Sequence, residues 1–327
     1  MNNLYPFKFK PIFKDKIWGG HKILTVLKQN FSPLPNCGEV WVLSGVEDNQ
    51  TVIENGFLAG NDLNELVEVY MGDLVGDKIY HKFGNEFPIL IKFIDANDWL
   101  SIQVHPDDKL AWKRHQSLGK SEMWYILDAD HDSELIAGFS TRVDKSGYQK
   151  HLENKTLKSI MNFEKVSKGD VFFTPAGRVH ALGPGILLAE IQQTSDVTYR
   201  IYDWDRIDNA GMMRELHTDL ALDAIDFNLH DNYKTPYTDK LNETVKLVES
   251  PYFTTNLIHV NRALNKDYSQ LDSFVIYVCT EGAFDLKCDN IKYSINLGET
   301  ILLPATIENV EIYPTPETKI LEVYMVL

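Results

Sequence analysis

A carboxamide and an imidazole stand two residues apart, at Gln103 and His105, in the segment Trp99–His105 (W-L-S-I-Q-V-H). Apolar and polar residues alternate through this segment, which is typical of a strand with one apolar face. Gln103 and His105 therefore point to the same polar face. Two such side chains can share one small target, most economically a metal ion that takes further ligands from elsewhere in the chain.

Short apolar runs predict the strands that would carry those further ligands. In the first part of the chain we expect strands at 87–94, 99–105, 122–127, 171–174, 186–192 and 198–202, and helices at 61–71, 107–116, 144–163 and 217–227. The first two of these strands predict a hairpin. Later strands are expected at 257–260, 274–279, 291–295, 300–303, 310–313 and 320–326. Many short strands about 8 to 12 residues apart are typical of a β-sandwich or barrel.

An internal repeat predicts two related β domains. Gly169–His180 has the pattern G-x5-P-x-G-x2-H, and Gly298–Asn309 repeats it with threonine for the last glycine and asparagine for the histidine. Upstream, Glu122 aligns with Phe274. The second copy therefore keeps the scaffold without the polar residues that could bind a metal.

A polar stretch at 231–244, which includes Pro236 and has no clear periodicity, predicts the domain boundary. We expect a metal-binding domain over 1–235, with helical insertions, and a degenerate domain over 236–327. A chain of 327 residues is long enough for two such cores.

Composition and charge exclude several classes of partner. With 44% apolar and 24% charged residues, the chain has the composition of an ordinary globular protein. Its formal net charge of -15 argues against nucleic acid or an anionic membrane as a partner, so an anionic small molecule would need a local basic pocket. We find no secretory signal and no run approaching the roughly 18 apolar residues of a membrane helix. Three widely spaced cysteines fit a cytoplasmic location.

The motifs resemble those of the cupin superfamily, whose members are small antiparallel barrels of the jelly-roll type. The resemblance implies two cupin-type jelly-roll barrels, the second without ligands. In such barrels an H-x-H pair, a glutamate and the histidine after P-x-G converge on one metal, and the matching positions are Gln103, His105, Glu122 and His180. Glutamine in place of the first histidine makes the set richer in oxygen than that of many iron cupins, which favours zinc with an open coordination position.

Each of these residues also has an ordinary structural interpretation. His105 alone could be a hydrogen-bonded histidine, His180 could close a turn, and Glu122 could form a surface ion pair with Lys120, worth about 0 to 1 kcal/mol. Their joint occurrence in order favours the metal site. The other histidines are interpreted as structural or solvated: His21, His81, His115, His131, His151, His217, His230 and His259.

Further motifs make a more specific family resemblance. They are Trp18-Gly19-Gly20, Gly38-Glu39-x-Trp41-x-x-Ser44, Ile102-Gln103-Val104-His105-Pro106-Asp107-Asp108, Gly119-Lys120-x-Glu122 and the stretch from Glu190 to Arg200. Together, and in this order, they resemble the type I mannose-6-phosphate isomerases in their shorter bacterial form, over nearly the whole chain. The resemblance implies an enzyme with one zinc ion per chain that interconverts mannose 6-phosphate and fructose 6-phosphate, with a phosphorylated hexose as its partner.

The resemblance also implies which residues act on the sugar. The family's catalytic arginine falls on Arg200, and the lysine of its Lys-x-Glu element falls on Lys120. Aldose–ketose conversion removes the proton at C2 and returns one to C1 through a cis-enediol. Arg200 stays charged and suits the enediolate or the phosphate, whereas Lys120 could act as the base or bind phosphate. Glu190 and Asp196 are rival bases or orienting groups.

The chain departs from the family pattern at one further place, and alternative interpretations exist for Arg200 and for the function. The longer family members continue from Ser-Asp-Asn to the arginine, but here Ser195 and Asp196 are followed by Val-Thr-Tyr. The structural alternative for Arg200 is an ion pair with Asp203 or Asp205. The functional alternatives are another metal cupin, such as an iron dioxygenase or a sugar-nucleotide-modifying enzyme, and a non-catalytic carbohydrate-binding protein. Gln103 counts against iron.

Overall fold

Two antiparallel sheets build the N-terminal part of the molecule, and a third builds the C-terminal part. The computed structural model describes residues 4–207 and 211–327. The N-terminal strands are β1 (Phe9–Lys10), β2 (Ile12–Lys14), β3 (Glu39–Leu43), β4 (Val52–Ile53), β5 (Ile89–Ala96), β6 (Ile102–Val104), β7 (Glu122–Ala129), β8 (Glu134–Phe139), β9 (Met161–Lys165), β10 (Val171–Thr174), β11 (His180–Leu182), β12 (Ile186–Gln193) and β13 (Tyr199–Tyr202). The helices are α1 (Lys22–Thr25), α2 (Leu63–Val75), α3 (Asp77–Phe83), α4 (Asp108–His115), α5 (Lys145–Glu153) and α6 (Thr218–Ala224), with a 3-10 helix at Leu157–Ile160. The C-terminal strands are β14 (Glu243–Glu249), β15 (Thr254–Val260), β16 (Leu264–Asp267), β17 (Val275–Cys288), β18 (Ile291–Asn296), β19 (Thr300–Leu303) and β20 (Asn309–Tyr324). The predicted mainly β class is confirmed.

The two N-terminal sheets pack against each other across an apolar core. One has the strand order β10-β7-β12-β5-β3-β2 and the other β13-β6-β11-β8-β9, while β1 and β4 form a separate pair. Buried side chains from both sheets form one cluster, including Ile94 and Trp124 from the first sheet and Leu135 and Leu182 from the second. Facing sheets of this kind place residues from distant parts of the chain side by side.

The predicted hairpin of 87–94 with 99–105 is wrong. Strand β5 pairs with β3 and β12 in the first sheet, whereas β6 pairs with β11 and β13 in the second. The backbone N–H groups of Asn97 and Asp98 both donate to the Trp18 carbonyl, and that of Leu100 then donates to β11. These bonds lead the chain from one sheet to the other before β6 begins.

Helix α2 agrees with the predicted helix at 61–71 and shows why it begins there. The carboxylate of Asp62 accepts the Glu65 N–H, and the Glu65 carboxylate accepts the Asp62 N–H, which is a capping box. The helix continues to Val75, with a break at Met71, where φ is 48°. Helix α4 likewise begins after a capping aspartate, Asp107.

The predicted helix at 144–163 is instead two short helices and a strand. Helix α5 ends at Glu153, the 3-10 helix follows, and Met161 already belongs to β9. Between the two helices Lys155 has a φ of 56°, in the left-handed region that an α-helix cannot contain. The apolar residues of this stretch are therefore shared between a short helix and a strand.

The C-terminal strands form one seven-stranded sheet. Its order is β14-β15-β20-β17-β18, with β16 paired to β20 and β19 paired to β17. The strands predicted at 310–313 and 320–326 are parts of the single strand β20. One apolar cluster is built from this sheet and its loops alone, so the sheet curls around its own core. Because no sheet in the described part of the chain closes on itself, the two jelly-roll barrels stay a prediction.

The strand register corrects the internal repeat by one residue. In the first copy Thr174 lies opposite Glu122. The matching residue of the second copy, Leu303, lies opposite Val275. Val275, rather than Phe274, is therefore the counterpart of Glu122, because Phe274 points to the other face of its strand. The expectation of an apolar residue at this position holds.

A shared apolar core joins the two parts of the molecule. The rings of Phe87 and Phe274 lie 4.6 Å apart, and Leu321 and Val323 of β20 pack into the same cluster. The boundary between 235 and 236 stays a prediction.

The three cysteines are buried free thiols. Within the described ranges, every helix is too short or too polar to cross a bilayer.

Candidate active site

Three buried side chains that can each ligate a metal converge between the two N-terminal sheets. His105 follows β6, Glu122 begins β7 and His180 begins β11. Their ligand atoms lie within 4.8 Å of one another, and each residue is 1% exposed. His105 Nε2 is 3.1 Å from Glu122 Oε1, and His180 Nε2 is 3.7 Å from Glu122 Oε2. The fold thus gathers three of the four predicted ligands.

Backbone carbonyls orient both imidazoles. The Nδ1 atom of His105 lies 2.9 Å from the Val197 carbonyl oxygen, and that of His180 lies 2.9 Å from the Arg178 carbonyl oxygen. Each Nδ1 therefore carries a proton and donates it, which leaves the Nε2 lone pair free to face Glu122. Burial, aided by the Lys120 ammonium, lowers the pKa of His105 to about 3, and burial also lowers the pKa of His180. Both rings are neutral near pH 7, as metal ligands must be.

The carboxylate between the imidazoles is ionised. Burial opposes its charge, but the Lys120 ammonium outweighs burial and holds the pKa of Glu122 well below its usual range. Lys120 Nζ lies 3.0 Å from Glu122 Oε1 and 3.4 Å from His105 Nε2. The Lys120–Glu122 contact considered as a surface pair is therefore real, but it is buried.

The donor set fits a metal ion. Two imidazole lone pairs and a carboxylate directed at one another repel. The Lys120 ammonium contacts this group at Glu122 Oε1 and His105 Nε2, whereas a metal ion would meet all three side chains. In the described part of the chain no donor reaches Glu122 Oε2, which is fully buried. Nitrogen and oxygen ligands in this combination suit a divalent transition metal such as zinc. His105, Glu122 and His180 could therefore hold a metal ion.

Gln103 lies beside this group on the same sheet. It is directly opposite His180 in the β6–β11 pairing and opposite Arg200 in the β6–β13 pairing. It is half-buried between two fully buried neighbours, and it lines the cavity, as its place on the polar face of β6 predicted. Its role as the fourth ligand stays a prediction.

Glu122 and His180 of this group line a cavity of about 350 Å³ between the two sheets, and His105 lies behind them. Six basic side chains and four carboxylates line it, an excess of two positive charges in a chain whose net charge is -15. They are Lys14, Lys16, Lys92, Lys120, Arg200 and Arg214, with Glu39, Glu122, Glu190 and Asp196. The fold thus provides the local basic pocket that an anionic small molecule requires.

Arg200 lies on β13 and lines the cavity, and neither of the two ion pairs considered for it forms. Its Nη1 donates to the Glu215 carbonyl oxygen at 2.9 Å. Asp203 contacts Arg206 instead, and Asp205 accepts from Tyr202. Burial, followed by the charge of Arg214, lowers the pKa of Arg200, yet the guanidinium stays charged at any physiological pH.

The two candidate carboxylates occupy different settings. Glu190 is 3% exposed, 2.8 Å from Lys92 Nζ, and accepts the Trp124 indole N–H at 2.8 Å. Burial and the charge of Glu122 raise the pKa of Glu190 above its usual range. Asp196 is exposed at the rim. Only Glu190 thus combines a buried position with a raised pKa.

Lys92 is a cavity residue that our sequence analysis missed. Burial would lower its pKa, but the carboxylates of Glu190, Glu39 and Glu122 outweigh burial and hold that pKa above the usual range. All eight residues of β5 are buried, and Lys92 is the single charged residue within the apolar run 87–94. A lone lysine in such a strand needs a buried partner, which is the signal that could have identified it.

A further group of polar residues, also missed as a unit, lines the cavity from β2 and β3, next to Lys92 on β5. Lys14 Nζ lies 3.5 Å from the centre of the Trp41 ring, and the Trp41 indole donates to Glu39 at 2.7 Å. Burial opposes ionisation of Glu39, but Lys92 and Lys16 outweigh it and lower its pKa to about 2. Glu39 therefore stays charged, whereas the pKa of Glu190 is shifted in the opposite direction. The motif Gly38-Glu39-x-Trp41 was visible, but its partners come from other strands.

Known proteins resemble this chain over almost its full length. It matches the family models described as phosphomannose isomerase type I, catalytic domain, at residues 6–151, and mannose-6-phosphate isomerase, cupin domain, at residues 243–324. It is 34% identical to a mannose-6-phosphate isomerase of Bacillus subtilis, covering 91% of this chain and 93% of the relative. It is 33% identical to one of Streptococcus mutans, covering 90% of each.

Solved structures show the same fold. The crystal structure of the mannose 6-phosphate isomerase from Bacillus subtilis matches with a TM-score of 0.87 at 31% identity, covering 98% of this chain and 99% of the other. A putative mannosephosphate isomerase from Archaeoglobus fulgidus matches with a TM-score of 0.77 at 20% identity, over 98% of both chains. The second likeness concerns the fold alone.

Proposed function

This chain belongs to the type I phosphomannose isomerase family and is an aldose–ketose isomerase, and we propose that it interconverts mannose 6-phosphate and fructose 6-phosphate with the help of a bound zinc ion. The observation that carries the proposal is the buried group of His105, Glu122 and His180, two of which, Glu122 and His180, line a basic cavity. The names and family of the relatives supply the substrate. The excess positive charge of the cavity suits its phosphate.

Zinc is the metal that the donor set supports best. His105, Glu122 and His180 would hold it. Gln103, which lies opposite His180 on β6, would supply the fourth ligand through its amide oxygen. When bound, zinc would supply Lewis-acid stabilisation of the two sugar oxygens, a contribution of several kcal/mol. The amide oxygen of Gln103 would stand where many iron cupins have a third histidine, and zinc accepts this mixture of nitrogen and oxygen ligands.

Proton transfer falls to Glu190. Conversion through a cis-enediol needs a group that takes the proton from C2 and delivers one to C1. A carboxyl with a raised pKa exchanges protons more readily than Glu39, whose charge is fixed by its neighbours. The bonds from Lys92 and Trp124 fix the position of the Glu190 carboxylate.

Arg200 and Lys120 supply positive charge beside the reacting atoms. The Arg200 guanidinium would stabilise the developing enediolate or grip the phosphate, since its fork of donors suits both. Lys120 is fixed against Glu122 and would attract the anionic substrate by its positive charge. Asp196, exposed at the rim, would meet the substrate only as it enters.

A coupled assay for fructose 6-phosphate formed from mannose 6-phosphate, with and without a chelator, tests the proposal. We expect conversion by the purified protein, loss of that conversion with the chelator, and its return when zinc is added. Metal analysis of protein purified without added metal distinguishes zinc from iron. Absence of chelator-sensitive conversion would overturn the proposed function, and stoichiometric iron would favour a different metal cupin.

A further inference from the structure

Both backbone groups of Arg200 are bound by one residue, His217. The Arg200 N–H donates to His217 Nδ1 at 3.2 Å, and the His217 N–H donates to the Arg200 carbonyl oxygen at 2.7 Å. Strand β13, which carries Arg200, is the edge strand of its sheet. His217 thus takes the place of a neighbouring strand at this one position.

These two hydrogen bonds to His217 determine how Arg200 pairs with the strand on its other side. In an antiparallel pair the N–H and C=O of a residue point to the same side. Because both groups of Arg200 face His217, its pairing with Gln103 is of the closely spaced kind without mutual hydrogen bonds. The side chains of Arg200 and Gln103 are therefore near neighbours on the face that lines the cavity.

The same segment also holds the side chain of Arg200. Its Nη1 donates to the Glu215 carbonyl oxygen, two residues before His217. Its Nε is buried and has no acceptor within the described ranges. One end of the guanidinium is therefore fixed while other donors remain available to a ligand in the cavity.

The contacts also identify the protonation form of His217. Nδ1 accepts a hydrogen bond, so a neutral ring carries its proton on Nε2. The side chain of His217 is 24% exposed, and its Nε2 lies 4.0 Å from the Glu215 carboxylate, which is 84% exposed. Arg200 thus holds the Nδ1 side of the ring, and the Nε2 side faces the exposed Glu215 carboxylate.

We infer that His217 is a positioning residue for Arg200, fixing the guanidinium at the cavity through its Nδ1 acceptor and its own backbone N–H. The inference rests on the role proposed above for Arg200. It goes beyond a structural role because His217 makes these two hydrogen bonds to Arg200, the one residue of β13 that lines the cavity. Its neighbours Tyr199 and Ile201 are buried in the apolar core on the opposite face.

Three substitutions separate the acceptor atom from the bulk of the ring. Asparagine places its Oδ1 on the same carbon that carries Nδ1, so His217→Asn keeps the acceptor. Glutamine places its oxygen one atom farther out, and alanine has none. We expect kcat/KM to fall roughly tenfold in His217→Ala and His217→Gln, and about twofold at most in His217→Asn, with the metal content unchanged in all three.

A double-mutant cycle distinguishes positioning from general stability. In an Arg200→Ala background there is no guanidinium to position, so His217→Ala should cause no further loss of kcat/KM. A purely structural role would produce the same loss in both backgrounds. That result, or wild-type kcat/KM in His217→Ala, would overturn the inference.

Nitrogen NMR of the wild-type imidazoles gives a readout that does not depend on activity. We expect His217 to show an unprotonated, hydrogen-bonded Nδ1 and a protonated Nε2. A protonated Nδ1 would overturn the inference even if the isomerase assay succeeds. If instead wild-type protein fails to convert mannose 6-phosphate while this NMR signature is present, the proposed function is wrong. The hydrogen bonds by which His217 holds Arg200 would still be supported.

Discussion

Replacing Arg200 with alanine should abolish most turnover while leaving the metal in place. Among the described residues its guanidinium makes one hydrogen bond, to the Glu215 carbonyl, so the structural loss is about 1 kcal/mol of folding stability. The catalytic loss should be larger, because removal of one donor to a developing oxyanion costs about 3 to 4 kcal/mol, or 10²- to 10³-fold in kcat. Arg200 is no ligand in the proposed site, so zinc content should match that of the wild type.

Steady-state kinetics in the coupled assay, with metal analysis of the same samples, measure both effects. Arg114→Ala is the matched control, because Arg114 bonds to Asp223 and the Leu220 carbonyl and does not line the cavity. We expect the control to retain wild-type kinetics. Arg200→Lys should fall between the two, since an ammonium keeps the charge but loses the planar fork. Wild-type kcat/KM in a fully metallated Arg200→Ala protein would refute the assignment.

Three further predictions concern other parts of the site and its support. His180→Ala should lose both metal and activity, and stoichiometric zinc in that variant would contradict a ligand role. Glu190→Gln should reduce kcat at least 10²-fold and lower stability by about 3 kcal/mol, because it leaves the Lys92 ammonium buried without its partner. Adding Lys92→Met should restore stability without activity, and recovered turnover would argue against Glu190 as the proton carrier. Burial raises the pKa of Asp95 to about 6, so stability should fall by up to about 3 kcal/mol as pH rises from about 4 through 6. Thermal melts of wild type and Asp95→Asn should therefore diverge as pH rises over that range, because only the wild type loses this contribution to stability. A difference in melting temperature that is flat with pH would contradict this.

The sign of the last prediction follows from the direction of the shift. Asp95 is buried and accepts the backbone N–H of Lys22. Its raised pKa means that the folded state binds the proton more tightly than the unfolded state. The stabilising contribution is therefore complete below the unfolded pKa and is lost as pH rises through the folded one.

Strands were predictable from the sequence where alternation or an apolar run was local, but their partners were not. Strand β6 has only three residues, and both of its neighbours, β11 and β13, come from much later in the chain. The hairpin prediction chose the nearest apolar run because sequential strands often pair. The two hydrogen bonds to the Trp18 carbonyl that prevent this pairing come from a turn near the N-terminus, which periodicity does not reveal.

The candidate ligands His105, Glu122 and His180 were predictable because their spacing forms a motif, whereas the residues around them depend on tertiary structure. Lys92 is hidden within an apolar run and has meaning only opposite Glu190 on β12. His217 belongs to no motif, and its importance comes from the edge position of β13. Sequence patterns identify side chains that must share a target, but they do not identify the groups that hold those side chains in place.

Both β parts of the molecule carry a buried carboxylate at the same position. The candidate metal ligands, rather than this carboxylate, therefore distinguish the N-terminal copy that we propose to be active. Glu190 lies opposite Trp124 on β7, and Glu322 occupies the same place opposite Tyr277 on β17. Glu322 is 1% exposed, but Lys266 at 2.7 Å and other polar side chains satisfy it within the core of the C-terminal sheet. A buried carboxylate at this position is therefore a property of the duplicated scaffold. What the second copy lacks is the ligand set, since Val275 stands where Glu122 does and asparagine replaces His180 in the repeated motif. The proposed chemistry needs the candidate ligands and Glu190 together, and in the described part of the chain the N-terminal sheets provide both beside an open cavity.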